Sequence, residues 1–207
     1  MVKIEPHDLL QISSVEDLSG DNLPVWAKTV FPNSLTVVVR RSEILNKQIP
    51  VGIRGVKREQ RFATYIEETA IKNIITPYEL VNAKAWERVS EARKELPAIK
   101  ALPFVADVLQ GYNWGISGSV GFELATKTES AKTTSDLDLI WKPNHSINKK
   151  TAQSLLKDLN QFGVHADLQV IQHNNGFSLE EYANSSSSIM MKTLGDPILV
   201  EDPWIEK

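Results

Sequence analysis

Residues 114–141 read WGISGSVGFELATKTESAKTTSDLDLIW, and this stretch decides the fold of the second half of the chain. The run from Gly115 to Ser119 precedes an apolar segment over 120–125, which is typical of a turn that opens a helix. Such a turn offers backbone N–H groups and a positive dipole end to a phosphate. A Gly-rich turn without a ligand has the same pattern, and no Lys-Ser or Lys-Thr closes it as in a P-loop. Gly118 and Ser119 are therefore candidate phosphate-binding residues.

The same stretch ends in an Asp-x-Asp motif, Asp136 and Asp138, within a predicted strand over 137–141. Side chains two residues apart in a strand point to the same face, roughly 6–7 Å apart along the backbone. Two neighbouring carboxylates repel each other unless a cation lies between them. Mg²⁺, or Mn²⁺ in its place, is the cation that such hard oxygen ligands favour. An exposed sheet face that happens to carry two aspartates is the alternative.

Asp167 is the candidate for a third carboxylate. It lies in a predicted strand over 164–171, where His165, Asp167 and Gln169 share the polar face and the apolar side chains take the other. This polar face is either the solvent side of a sheet or, together with Asp136 and Asp138, a metal site.

The remaining elements indicate a mixed sheet with helices packed against it. Strands are predicted over 34–41 and 49–54, and a helical pattern over 58–75. Thr76 and Pro77 are expected to begin a helical region interrupted at Pro97 and Pro103. Further helices are predicted over 151–162, closed by Gly163, and from the cap Ser178 onward.

Composition excludes several classes of protein. The 207 residues are 42% hydrophobic and 24% charged, with a net charge of −3 and no cysteine. Disulfides and thiolate metal sites are therefore excluded, and bulk charge does not favour nucleic acid. No apolar run reaches the roughly 20 residues of a membrane span, and no signal-peptide pattern opens the chain. We expect a cytoplasmic protein that binds neither membranes nor nucleic acid.

One stretch is basic within this acidic chain. Residues 28–61 hold eight Lys or Arg side chains against two acids, a net charge of +6. If the segment is helical, Arg54, Lys57, Arg58 and Arg61 lie on one side. The stretch is either a solvated face or a patch that binds phosphates or an acidic partner. Arg58 and Arg61 are the candidate phosphate-binding residues.

These motifs resemble those of a known family. A Gly-Ser turn, an Asp-x-Asp strand and a later strand aspartate are the pattern of polymerase β-like nucleotidyltransferases. The sequences over 114–126 and 135–139 resemble more closely the holo-acyl carrier protein synthases of malonate decarboxylase, which are phosphoribosyl-dephospho-CoA transferases. The resemblance extends to residues 6–10, 50–55, 58–62, 167–169 and 202–204, so it covers nearly the whole chain.

The resemblance implies an α+β fold, in which a mixed α/β N-terminal domain (residues 1–80) precedes a nucleotidyltransferase-like catalytic domain (residues 81–207) with a mixed sheet flanked by helices. It implies that 2'-(5''-triphosphoribosyl)-3'-dephospho-CoA is attached to a serine of the apo acyl carrier subunit of malonate decarboxylase, with release of pyrophosphate. Alternatives are another minimal nucleotidyltransferase with a different acceptor, such as the citrate lyase carrier, and a non-catalytic nucleotide-binding module.

The resemblance also implies a role for each candidate residue. Asp136 and Asp138 would hold two Mg²⁺ ions. Asp167 would bind the metal next to the incoming hydroxyl and help to remove its proton. Gly118 and Ser119 would grip the departing phosphates.

Overall fold

The chain folds into two compact units, residues 1–76 and 77–207. The computed structural model describes residues 3–19, 23–29, 36–44, 46–55 and 60–205. In the part of the chain so described, no helix is long and apolar enough to cross a membrane.

The first unit is built on a six-stranded antiparallel sheet. The described elements of this unit are β1 (Leu9–Ile12), β2 (Leu18–Ser19), α1 (Val25–Thr29), β3 (Thr36–Val39), β4 (Gln48–Arg54), β5 (Arg61–Glu67) and β6 (Ile71–Ile75). The strands lie in the order β2-β5-β4-β3-β1-β6. In β4, Ile49, Val51 and Ile53 alternate inward and are at most 3% exposed, so each contributes roughly 1.5–3 kcal/mol through burial.

The strands predicted over 34–41 and 49–54 are confirmed as β3 and β4, and the helix predicted over 58–75 is wrong; residues 34, 35, 58 and 59 of these predictions lie outside the described residues. Residues 61–75 form β5 and β6, with a short 3-10 turn over 68–70 between them. Phe62 and Ile66 are four residues apart, a spacing that places both on one face in a helix and equally in a strand. Thr64 between them is also buried, which is the period of a strand.

The second unit contains the mixed sheet flanked by helices that the sequence predicts. The described elements are α2 (Pro77–Asn82), α3 (Glu91–Lys94), α4 (Pro97–Lys100), α5 (Leu102–Val108), β7 (Trp114–Ile116), α6 (Gly118–Thr126), β8 (Leu137–Trp141), α7 (Lys149–Leu159), β9 (Ala166–Gln172), β10 (Asn175–Ser178), α8 (Leu179–Asn184), β11 (Ile189–Met191) and β12 (Ile198–Val200). The larger sheet has the order β10-β9-β8-β7, in which β8 and β9 are parallel and the outer pairs are antiparallel. β11 and β12 form a separate antiparallel pair.

The helix boundaries of this unit follow the signals in the sequence. α2 begins at Pro77, as predicted. The Asn148 side chain caps α7, which buries Leu155, Leu156 and Leu159 on one face before the chain turns at Gly163 with φ +77°. The amphipathic helix predicted over 151–162 is therefore confirmed, since α7 continues as a 3-10 turn over 160–162.

The start of α8 is capped by a serine, and aromatic rings hold the C-terminal segment beside this helix. The Ser178 hydroxyl accepts a hydrogen bond from the Glu181 N–H, as predicted for the cap of α8. The Trp204 ring lies 5.2 Å from Phe177 and 5.7 Å from Tyr182, measured between centroids. This contact holds the C-terminal segment against β10 and α8.

Candidate functional site

The Gly-Ser turn lies directly against the Asp138 carboxylate. Ser117 is extended and Gly118 has φ +61°, which allows β7 to turn sharply into α6. A Cβ atom at position 118 would lie 1.8 Å from Oδ2 of Asp138 and 2.5 Å from its Cγ, so no larger residue fits. The Ser117 N–H donates to the backbone carbonyl of Asp138 at 2.9 Å. The turn and the carboxylate therefore form one site.

Asp138 and Asp167 are neighbours on parallel strands. They are register partners in β8 and β9, whose backbones run about 4.8 Å apart. Leu137 and Leu139, on the other face of β8, are almost fully buried, whereas Asp138 is half-buried and Asp167 is exposed. Asp138 and Asp167 therefore lie side by side on one face of the sheet.

Asp136 lies one residue before β8 and is exposed. Strand pairing continues beside it, because the Leu137 N–H donates to the His165 carbonyl at 2.8 Å. Within the described ranges, no group of three or more His, Asp or Glu side chains lies close enough to hold a metal ion. The donor set itself suits a hard cation, since it consists of carboxylates at the ends of adjacent strands. Metal binding by Asp136, Asp138 and Asp167 stays a prediction.

Ser119 faces inward, towards the loop that connects α6 to β8. Its side chain is 8% exposed, and its hydroxyl lies 3.3 Å from the Ser135 hydroxyl. At the first turn of a helix such as α6, the leading backbone N–H groups lack intrahelical partners. Backbone groups of the turn, more than the Ser119 hydroxyl, are therefore the natural donors to a phosphate.

An ion pair that the sequence did not predict joins Arg93 of α3 to the buried Glu123 of α6. Both Glu123 carboxylate oxygens accept hydrogen bonds from Arg93, from Nε and Nη2, each at 2.7 Å. The signal available in the sequence was a glutamate within the apolar segment 120–125, four residues after Ser119 and so on the same helix face. Its partner is 30 residues away along the chain, beyond the reach of any local pattern.

The ion pair shifts the pKa of both partners. Burial alone raises the pKa of Glu123, but the Arg93 hydrogen bonds and the backbone N–H groups of Ser130 and Ala131 outweigh it, and the net pKa is lowered. The hydrogen bond to Glu123 raises the pKa of Arg93 against the opposing effect of burial. The pair is therefore charged at neutral pH.

The basic residues of the first unit are arranged differently from the prediction. Arg58 and Lys57 lie outside the described residues. Arg54 and Arg61 end β4 and begin β5, where they are directly opposite each other and both exposed. The predicted one-sided helical arrangement is wrong for this pair, but the cross-strand register still places both guanidinium groups on one face of the sheet.

A mixed sheet whose Gly-Ser turn packs on an Asp-x-Asp strand is the arrangement expected of a nucleotidyltransferase-like enzyme. Family models match both parts of the chain: the phosphoribosyl-dephospho-CoA transferase MdcG N-terminal domain over residues 5–77 and the corresponding C-terminal domain over residues 83–203. The chain therefore belongs to the phosphoribosyl-dephospho-CoA transferase family and is a transferase.

Individual relatives agree along the full length. A phosphoribosyl-dephospho-CoA transferase of Pseudomonas fluorescens (strain Pf-5) is 34% identical over 201 residues, which cover 96% of this chain and 93% of the relative. One from Pseudomonas syringae pv. tomato is 33% identical, with 96% and 92% covered. One from Azotobacter vinelandii is 31% identical over 202 residues, with 98% and 95% covered. No solved structure matches the chain.

Proposed function

We propose that this enzyme attaches 2'-(5''-triphosphoribosyl)-3'-dephospho-CoA to a serine of the apo acyl carrier subunit of malonate decarboxylase and releases pyrophosphate. Membership of the transferase family supports the dephospho-CoA-derived substrate and a carrier acceptor. The packing of Asp138 on Gly118 is the observation that carries the proposal, because it brings a carboxylate to a turn suited to phosphate.

The reaction is a displacement at phosphorus. The serine oxygen of the carrier forms a bond to the α-phosphorus of the triphosphate, and the bond from that phosphorus to the oxygen bridging to the β-phosphate breaks. Pyrophosphate leaves with the electron pair of the broken bond. The serine loses its proton to a carboxylate, and a phosphodiester joins the prosthetic group to the carrier.

The aspartates divide the work by position. Asp167 is exposed on β9 beside Asp138. In this proposal Asp167 accepts the proton of the incoming serine hydroxyl. Asp136 and Asp138, with Asp167, would hold Mg²⁺ or Mn²⁺, which when bound neutralises the charge of the triphosphate. The Gly118-Ser119 turn would hold the departing phosphates with its backbone N–H groups.

The proposal is tested by pyrophosphate release. The purified chain is mixed with the triphosphoribosyl substrate and Mg²⁺, and with one of three acceptors: the apo malonate decarboxylase carrier, the same carrier with its acceptor serine changed to alanine, or the apo citrate lyase carrier. We expect release with the first acceptor alone. Faster release with the citrate lyase carrier would replace the proposed acceptor, and no release with either carrier would contradict the proposed transfer.

A further inference from the structure

The loop between α6 and β8 is fastened to Glu123 by its backbone. Oε2 of Glu123 accepts the N–H groups of Ser130 at 2.9 Å and Ala131 at 2.8 Å, in addition to the Arg93 hydrogen bond. The Arg93 Nη2 group also donates to the Ala131 carbonyl at 2.7 Å. Arg93 and Glu123 therefore bind both the N–H and the carbonyl of Ala131, and Glu123 also binds the N–H of Ser130.

The same loop contacts the site at two points, Ser130 and Ser135. The Ser130 hydroxyl donates to the Ser119 carbonyl at 2.7 Å, inside the Gly-Ser turn. The Ser135 hydroxyl accepts from the Lys132 N–H at 2.9 Å and lies 3.3 Å from the Ser119 hydroxyl, and the next residue along the chain is Asp136. We call these contacts the Glu123 network; its members are Arg93, Ser119, Glu123, Ser130, Ala131 and Ser135.

Burial makes the network stiff. Glu123 is 3% exposed, and its carboxylate accepts four hydrogen bonds, two of them from a guanidinium in a bidentate arrangement. Losing the Glu123 carboxylate leaves the half-buried Arg93 Nε and the buried Ala131 N–H without this acceptor, which is costly where water is largely excluded. By contrast, Glu129 in the same loop meets Arg93 at 3.5 Å but is 76% exposed, so it adds little.

We propose that Arg93 and Glu123 are positioning residues for the transfer reaction: through Ser130 and Ser135 they fix the Gly-Ser turn relative to Asp136. The inference rests on the proposed function for its catalytic part. Neither residue touches the reacting groups. Their effect is to hold the phosphate-binding turn and the start of the Asp-x-Asp strand in one geometry, and errors of about 1 Å in such geometry lower rates by about a hundredfold.

The test compares Glu123→Gln with Glu129→Gln, two neutralised partners of the same arginine. In Glu123→Gln we expect the amides of Ser130 and Ala131 to exchange at least tenfold faster in the free protein, and kcat to fall at least tenfold with the KM for the carrier unchanged. Pyrophosphate affinity, measured by calorimetry with Mg²⁺ present, is expected to weaken at least fivefold. Glu129→Gln is expected to match the wild type in all three.

Each outcome decides the proposal. A kcat of Glu123→Gln within twofold of the wild type overturns it, and so does an equal loss in Glu129→Gln. If Glu123→Gln fails to fold, Ser130→Ala decides, since it keeps the ion pair and both amides: we expect at least a threefold fall in kcat at an unchanged Tm, and an unchanged kcat overturns the proposal. If the wild-type chain modifies no carrier, the proposed function fails, and pyrophosphate affinity together with amide exchange decides the role of Glu123.

Discussion

The glycine at position 118 is required both by the backbone turn and by the neighbouring Asp138 carboxylate. The turn needs a positive φ, and the Asp138 carboxylate occupies the space where a side chain would begin. A glycine therefore answers two requirements at once, one of backbone conformation and one of volume. Gly111 and Gly163 meet only the first requirement, since each has a positive φ and open space where a Cβ would lie, whereas Gly115 and Gly121 meet only the second.

Gly118→Ala is expected to abolish transfer, with at least a hundredfold loss of kcat/KM, because the new methyl group displaces the whole Asp138 side chain. Gly163→Ala is the matched control. Gly163 also has a positive φ, +77°, but a Cβ there meets nothing within 4 Å. Both variants lose about 1 kcal/mol or more of stability from backbone strain. Steady-state kinetics and urea unfolding measure the two effects, and equal activity in the two variants would contradict the steric account.

Stability should depend on pH through Glu123. Its pKa is lowered in the folded protein, so its contribution is present above the unfolded value of about 4.3 and is lost as pH falls through the folded pKa. We expect Glu123→Gln to lower the free energy of unfolding by about 3 kcal/mol at pH 7, and the difference from the wild type to shrink below about pH 4. Urea titrations at pH 7, 5, 4 and 3 measure this difference. A difference that stays constant over that range would show that the ion pair is not its cause.

The helices and strands that depend on local patterns of apolar residues and caps could be predicted from the sequence. β8 alternates buried leucine with aspartate, and α7 has its apolar stripe and caps, so both were predictable. The segment 61–75 was not, because the spacing of Phe62 and Ile66 suits two periods and sheet pairing decides between them. The Arg93–Glu123 pair joins residues from different helices, which only tertiary packing brings together.

The hairpin of β4 and β5 carries the prediction for the basic residues. Arg61→Ala is expected to weaken binding of the triphosphoribosyl substrate at least fivefold and to leave carrier binding unchanged. The reason is that one guanidinium group can donate two parallel hydrogen bonds to two oxygens of a phosphate. Lys72→Ala, which removes another exposed cation of the same unit, is the control. Calorimetry against each substrate separately measures both affinities. Unchanged affinity of Arg61→Ala for both substrates would mean that the Arg54–Arg61 face is only a solvated surface.

At the scale of the whole molecule, the two units correspond to the two family models, matched over residues 5–77 and 83–203. Family membership establishes that the chain is a transferase, and the second unit supplies the turn and the aspartates of the candidate site. Chain length and composition alone predicted neither unit. The motif over 114–141 predicted the second unit, and it also contains the turn and two of the three aspartates of the candidate site.

Removal of divalent metal tests the charge balance of the site. Three carboxylates and a triphosphate repel one another without a cation, so exhaustive chelation is expected to reduce transfer below detection, and added Mg²⁺ or Mn²⁺ is expected to restore it. Pyrophosphate release before and after chelation measures this dependence. Full activity in the chelated enzyme would contradict the metal assignment while leaving the transfer itself intact.

The role of the three aspartates in the transfer is tested most directly by the intact mass of the apo malonate decarboxylase carrier. The carrier is incubated with the triphosphoribosyl substrate, Mg²⁺ and either the wild-type chain or one of three variants, Asp136→Ala, Asp138→Asn and Asp167→Asn. Asp158→Asn, an exposed change on α7, is the control. We predict that the wild type and the control add the mass of one prosthetic group to the carrier. The three site variants are predicted to modify the carrier at least a thousandfold more slowly, and their urea unfolding transitions are expected to show that they are folded. Near-normal modification of the carrier by the Asp138→Asn enzyme would contradict the account.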